Sequence, residues 1–126
     1  MDIVTIASKL SQVAKLKKID DNEYEVLTEA KINGKTPVKM YLSIGHNGVM
    51  LGDKKHTLKF MNQMYELKSP DVKGCIASVI KIYGFSIISG ELVAQIKSEK
   101  SAMETFYNFI ICVGQLANMY AFFDKP

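Results

Sequence analysis

Alternating apolar and polar residues, interrupted by two Asn-Gly pairs, constrain the fold of this chain more than any other feature. The alternation has a period of two, which is typical of half-buried β-strands. The predicted strands cover residues 24–32, 38–44 and 49–51. Asn33-Gly34 and Asn47-Gly48 separate them, and both residue types tolerate the positive φ angles of a type I′ turn. The first half of the chain therefore predicts a three-stranded antiparallel meander.

Apolar residues spaced three or four apart predict four helices. The first two cover residues 2–17 and 56–67. The third opens at Ser69-Pro70 and stops at Gly84, because Ser caps a helix, Pro suits its first turn and Gly ends it. The fourth starts at Ser101, where a Glu three residues later completes a capping box.

A second hairpin separates the last two helices. Its strands cover residues 85–88 and 92–96, with Ser89-Gly90 at the turn. Antiparallel hairpins and segregated helices are typical of an α+β fold rather than of a doubly wound sheet. We therefore predict a single α+β domain over residues 1–126. It combines an antiparallel three-stranded meander and a second hairpin with four helices, in the order α-βββ-α-α-ββ-α.

Composition excludes several classes of protein and mechanism. With 126 residues, 48% of them hydrophobic and 23% charged, the chain suits one globular core and not a disordered segment. Net charge is +3, and every basic residue is lysine. Arginine fingers and bidentate reading of guanine are therefore excluded. Lysine still holds a phosphate as a point charge.

The cysteines and the start of the chain predict a cytoplasmic protein. Cys75 and Cys112 lie far apart in apolar surroundings, which predicts reduced, packed thiols. Two Cys and two His without paired spacing exclude a zinc site. The first residues also lack the basic and apolar pattern of a signal peptide.

The last helix carries the most apolar surface. Residues 103–123 are apolar, but polar side chains on one stripe interrupt them, which predicts a core helix and no membrane span. Because more than half of its circumference is apolar, part of it is predicted to contact a partner protein or a second copy in a homodimer. The candidate interface residues are Phe109, Leu116, Met119 and Phe123.

Three pieces of the sequence resemble one protein family. They are Thr36-Pro37-Val38, Leu51-Gly52-Asp53 continuing through His56-Thr57-Leu58, and Tyr83-Gly84-Phe85 continuing through Ser89-Gly90-Glu91-Leu92. In this order and at about this spacing they look like the bacterial and phage domain of unknown function family 1828. The resemblance covers residues 24–96. It implies a protein common in prophages and other mobile elements, with no established chemistry.

A cluster of cations lies at the predicted start of the second helix: Lys54, Lys55, His56 and Lys59. Cations there oppose the helix dipole, whereas an anion would meet free backbone N–H groups and several lysines. One interpretation is a site for phosphate or the nucleic-acid backbone. The other is a solvated turn in which Asp53 caps the helix and offsets the charge.

Signals of catalysis are weak throughout the sequence. Glu29 and Lys31 share a predicted strand face, as in metal-dependent nucleases, but the adjacent strand offers no second carboxylate. Ser43, His46 and Asp53 include the residue types of a nucleophilic triad, but no nucleophile elbow surrounds the serine. We therefore predict no catalytic residues, no metal and no cofactor, and an enzyme is the less favoured class.

The leading hypothesis is a non-enzymatic protein-binding module. The family resemblance narrows it to a phage or mobile-element inhibitor of a host system. The alternative is binding of phosphate or the nucleic-acid backbone through the lysine cluster. The two hypotheses differ in their salt response, because lysine–phosphate contacts weaken steeply with added salt and apolar contacts do not.

Overall fold

A computed structural model of the chain describes residues 1–32, 34–63 and 66–119. Its helices in the described residues are α1 (Ile3–Leu10), α2 (His56–Met61), α3 (Pro70–Tyr83) and α4 (Ala102–Ala117). Its strands there are β1 (Lys15–Asp20), β2 (Glu23–Leu27), β3 (Lys31–Ile32), β4 (Thr36–Pro37), β5 (Met40–Gly45), β6 (Gly48–Gly52), β7 (Ser86–Ile88) and β8 (Glu91–Gln95). This order confirms the predicted α+β fold class.

The strands form one large antiparallel sheet and a small separate hairpin. Within the described ranges, the large sheet has six strands in the order β1-β2-β5-β6-β8-β7, and β3 pairs with β4 alone. The predicted meander corresponds to β2, β5 and β6, and the predicted second hairpin to β7 and β8. The predicted strand over residues 24–32 is wrong in its continuity, because it divides into β2 and β3, and β3 pairs with β4 instead of continuing the large sheet; Asn33 of the predicted turn lies outside the described residues. Pairing of β6 with β8 joins these two units into one sheet.

The predicted first helix over residues 2–17 is wrong in its second half. α1 begins after Asp2, whose side chain accepts the N–H of Thr5 at 2.8 Å, and it ends at Leu10. The following residues form β1, which pairs with β2 along its length, Leu16 opposite Val26. Helix propensity is a weak preference, and a ladder of hydrogen bonds to a neighbouring strand overrides it. The lysines of β1 lie on the outer edge of the sheet, where charge discourages pairing with other chains.

The end of α2 and the predicted cap of α4 also differ from prediction. α2 ends at Met61, six residues before the predicted end, and residues 64 and 65 of that prediction lie outside the described residues. Ser101 precedes α4 as predicted, but its side chain bonds to Ser98 and not to the helix, so no capping box forms. By contrast, α3 starts at Pro70, and Gly84 caps its end with a φ of +70°, which favours glycine, as predicted.

One face of the sheet and all the helices of the described residues share a core. Register places Val26 beside Met40, and Leu42 beside Leu51, on the face that contacts the helices. α4 lies at the centre of this layer, because α1, α2 and α3 each pack against it. The opposite face carries Glu25 paired with Tyr41. In the described part of the chain, no helix has the length and apolar character that crossing a bilayer requires.

Candidate functional site

The turn that follows β6 is built around a fully buried carboxylate, Asp53. Its Oδ1 accepts the backbone N–H groups of Lys55 and Leu92, each at 3.0 Å. Its Oδ2 accepts the N–H of Thr57 at 2.9 Å. One side chain therefore joins the end of β6, the first turn of α2 and the start of β8.

These bonds explain how the sequence turns so sharply at this point. Lys54 and Lys55 have φ angles of +50° and +73°, which non-glycine residues rarely adopt. Each left-handed residue costs roughly 1–2 kcal/mol, so the turn needs compensating contacts. Lys55 makes no side-chain cap to α2, and Asp53 supplies that cap through Thr57. The cap proposed from the sequence for Asp53 is therefore observed.

A second carboxylate supports the same turn from the other side. Glu91 accepts the N–H of Lys54 through Oε2 at 2.9 Å. Its carboxylate lies directly over Gly52, where an added Cβ would come within 2.6 Å of Oε2. Glycine at this position therefore allows Glu91 to approach the turn.

The predicted cation cluster does not form one site. Lys54 extends across the exposed sheet face, where its Nζ lies 3.1 Å from Oε2 of Glu23 and 4.2 Å from the centroid of the Tyr41 ring. This charge is already paired. Lys55 is exposed and lies beside Gly90 in the β7–β8 turn.

The remaining two members of the cluster, His56 and Lys59, line a cavity together with Lys39. Lys39 comes from the segment between β4 and β5, so only the folded chain brings it next to α2. Sequence inspection missed it because it stands alone between the buried residues Val38 and Met40. No local pattern identifies such a residue.

The predicted interface residues are internal wherever they are described. Phe109 and Leu116 are fully buried and Met119 is nearly so, packed within the core of this chain, so they have no surface for a partner. Phe123 lies outside the described residues. The predicted interface at Phe109, Leu116 and Met119 is therefore wrong, because the opposite side of α4 faces the solvent. The exposed apolar side chains of α4 are Tyr107 and Ile111.

The weak catalytic candidates remain separate from one another. Glu29 precedes β3, whereas Lys31 begins it, so the two do not share one regular strand face. His46 lies in the β5–β6 turn, and Asp53 is already bonded to three N–H groups. Among the described residues there is no group of three or more His, Cys, Asp or Glu side chains that would hold a metal ion.

The buried thiol is also unsuited to nucleophilic chemistry. Burial raises the pKa of Cys112 to about 12, and the negative charge of Asp53 acts in the same direction. The thiolate is the reactive form, so a raised pKa leaves Cys112 protonated at neutral pH. Cys75 is only partly buried.

Replacing Asp53 by Ala is expected to lower the free energy of unfolding by about 3–5 kcal/mol, because buried N–H groups lose their acceptor at about 1–3 kcal/mol each. Urea unfolding followed by circular dichroism measures this. The matched control is Asp71→Ala, which removes an exposed carboxylate from the first turn of α3 and should cost less than about 1 kcal/mol. Equal effects of the two substitutions would contradict this role of Asp53.

The effects of Gly52→Ala and Glu91→Ala on the free energy of unfolding are expected to be strongly non-additive. An added methyl group at residue 52 displaces the Glu91 carboxylate and breaks its bond to Lys54, at a cost of about 1–2 kcal/mol. The double variant should therefore be no less stable than Glu91→Ala alone in urea unfolding. Gly74→Ala, in open space within α3, is the control and should stabilise the protein. A double variant as unstable as the two single effects combined would exclude the contact.

Alkylation should distinguish the two cysteines in the folded protein. With iodoacetamide at pH 8, Cys75 is expected to react and Cys112 to stay unmodified until the chain is unfolded in urea. Peptide mass spectrometry after timed quenching reports each site. Equal labelling rates in the folded protein would show that Cys112 is neither buried nor protonated as described.

No protein-family model, curated protein or solved structure matches this chain. The resemblance to family 1828 is neither confirmed nor contradicted by these comparisons, and it stays a prediction. The inferences about function that follow therefore rest on the geometry of the described residues.

Proposed function

We propose that this protein is a non-enzymatic protein-binding module that contacts its partner through the outer surface of α3 and α4. This α3–α4 surface consists of Cys75, Val79, Ile82, Tyr107 and Ile111. The observation that carries the proposal is the exposure of its large apolar side chains. Ile82 is 74% exposed, Tyr107 49% and Ile111 48%.

The two helices bring these residues to one side of the molecule. Cys75 and Val79 line a shallow groove with Ile111 from α4. At 100° per residue, Ile82 follows on the same side of α3 as Cys75 and Val79. Tyr107 precedes Ile111 by four residues and therefore lies next to it along α4. Ile82 and Tyr107 thus lie on the same sides of α3 and α4 as the residues that line the groove.

The chemistry of the groove favours a protein partner. Its described lining contains Cys75, Val79, Ile111, Gly114, Gln115, Asn118 and Met119, with no charged side chain. Depletion of charge and enrichment in aromatic, aliphatic and Met side chains characterise the centre of protein interfaces. An uncharged groove between two helices suits the apolar face of a partner helix.

The family resemblance supports a narrower form of this proposal. Membership of family 1828 would imply a protein of a type common in prophages and other mobile elements, and the narrower proposal is that it inhibits a host system. That narrower form rests on the resemblance, whereas the binding role rests on the exposed α3–α4 surface.

Affinity capture from nuclease-treated bacterial lysate at 200 mM salt tests the binding role. Wild-type protein is expected to retain one stoichiometric protein partner, and Ile82→Glu/Ile111→Glu is expected to lose it, because two carboxylates would be desolvated in the interface. The matched control is Val4→Glu/Ile88→Glu, which places two charges at comparably exposed apolar residues elsewhere. The control should retain the partner.

Light scattering on the same three proteins decides whether the partner is a second copy. A wild-type dimer that becomes monomeric only in Ile82→Glu/Ile111→Glu identifies self-association through the α3–α4 surface. A monomer with no retained protein, or a retained protein that the substitutions do not affect, would overturn the proposal.

A further inference from the structure

We infer that the cavity between α2 and the β3–β4 hairpin, called here the cation pocket, binds a small organic phosphate that carries one apolar ring. The pocket has a volume of about 220 Å³ and is lined by three cationic or imidazole side chains, Lys39, His56 and Lys59. This inference is independent of the α3–α4 surface.

The three side chains surround one space without a carboxylate among them. None of the residues that line the pocket is Asp or Glu. Of the described ion pairs, one joins Lys18 to Asp21 and the other joins Lys54 to Glu23, so neither involves the pocket. No acidic side chain among the lining residues therefore offsets the two lysine charges, and an anion is the ligand that complements them.

The geometry of α2 and the hairpin explains why the three groups meet. His56 and Lys59 are three residues apart, so they share one side of α2. The β3–β4 hairpin faces that side and contributes Thr36 and Pro37 to the pocket wall. Lys39 lies two residues after the end of β4 and lines the same pocket as His56 and Lys59.

The rest of the wall sets the shape of the ligand. Ile32, Phe60 and Val113 line the pocket, and Val113 and Ile32 are buried. An apolar cavity of about 150 Å³ accommodates benzene, so about 220 Å³ accommodates a single ring together with one phosphate group. Lysine ammonium groups bind such a phosphate as point charges, and the imidazole of His56 donates an N–H.

A long nucleic-acid strand fits this arrangement less well than a small ligand. Nucleic-acid grooves track a backbone with a row of charges and stack successive bases on several aromatic rings. Here the charged residues line one partly open cavity, and Phe60 is the aromatic residue among its lining. Lys54, which would have extended the charged row, is held by Glu23 on the exposed sheet face.

Titration with phenyl phosphate, followed by ¹⁵N-amide chemical shifts and calorimetry at 50 mM salt, tests the inference. Saturable shifts are expected at Lys39, His56, Lys59 and Val113. Lys39→Gln/Lys59→Gln should weaken binding by at least about tenfold, because each lysine loses a charge-assisted contact. The matched control Lys17→Gln/Lys81→Gln removes the same charge from residues outside the pocket and should bind as wild type does.

Further ligands separate the apolar part of the pocket from its charge. Phe60→Ala should weaken binding of phenyl phosphate about tenfold and leave binding of inorganic phosphate unchanged. Phenol, which has the ring without the charge, should bind far more weakly than phenyl phosphate. The inference is overturned if Lys39→Gln/Lys59→Gln binds like the control, if inorganic phosphate binds as tightly as phenyl phosphate, or if only a single-stranded oligonucleotide binds. Circular dichroism of each variant establishes that it is folded.

Discussion

The hydrogen bonds of Asp53 join three elements of the fold, across a separation of up to 39 residues in sequence. Its carboxylate accepts N–H groups from Lys55, Thr57 and Leu92. Leu92 belongs to β8, and β8 pairs with β6 immediately before Asp53. The same short segment thus closes the sheet between the meander and the second hairpin and starts α2 beside it. A buried carboxylate is tolerated here because backbone donors satisfy both of its oxygens.

The turn at Asp53 also determines on which surfaces the neighbouring lysines and His56 lie. Because Lys54 and Lys55 both adopt positive φ angles, the chain changes direction at each of them. Lys54 passes to the exposed sheet face and Glu23, while His56 and Lys59 follow α2 to the cation pocket. Three lysines and one histidine that are close in sequence therefore lie on different surfaces. Lys39, which follows the β3–β4 hairpin, lines the same pocket and adds a second lysine charge to that of Lys59.

Sequence patterns predicted the elements whose signals are local. The alternation of β5 and the turn residues around Gly48, Gly84 and Gly90 each report a backbone conformation that neighbours alone determine. β1 was not predicted, because its strand structure depends on pairing with β2. Its lysines and apolar residues fit a helix equally well. Lys39 was not predicted as a site residue for a similar reason, because His56 and Lys59, which line the pocket with it, come from another part of the chain.

The apolar pattern of α4 also failed to predict which side of the helix is buried. Its apolar residues cover most of its circumference, so periodicity alone does not define which side is buried. The sequence predicted an interface at Phe109 and Leu116, whereas the fold buries both residues in the core and exposes Ile111. The outward side agrees with the polar stripe, because Glu104, Gln115 and Asn118 are exposed too. The few polar residues of such a helix therefore predict its orientation better than the many apolar ones.

α4 separates the two proposed binding sites as well. Val113 lines the cation pocket and Ile111 belongs to the α3–α4 surface. Two residues correspond to about 200° around a helix, so these side chains point in nearly opposite directions. A ligand in the pocket and a protein on the α3–α4 surface therefore do not compete for space. Their attractions also differ in kind, because one site gathers positive charge and the other exposes uncharged apolar side chains. Salt should consequently weaken binding in the pocket while leaving the apolar contact largely unchanged.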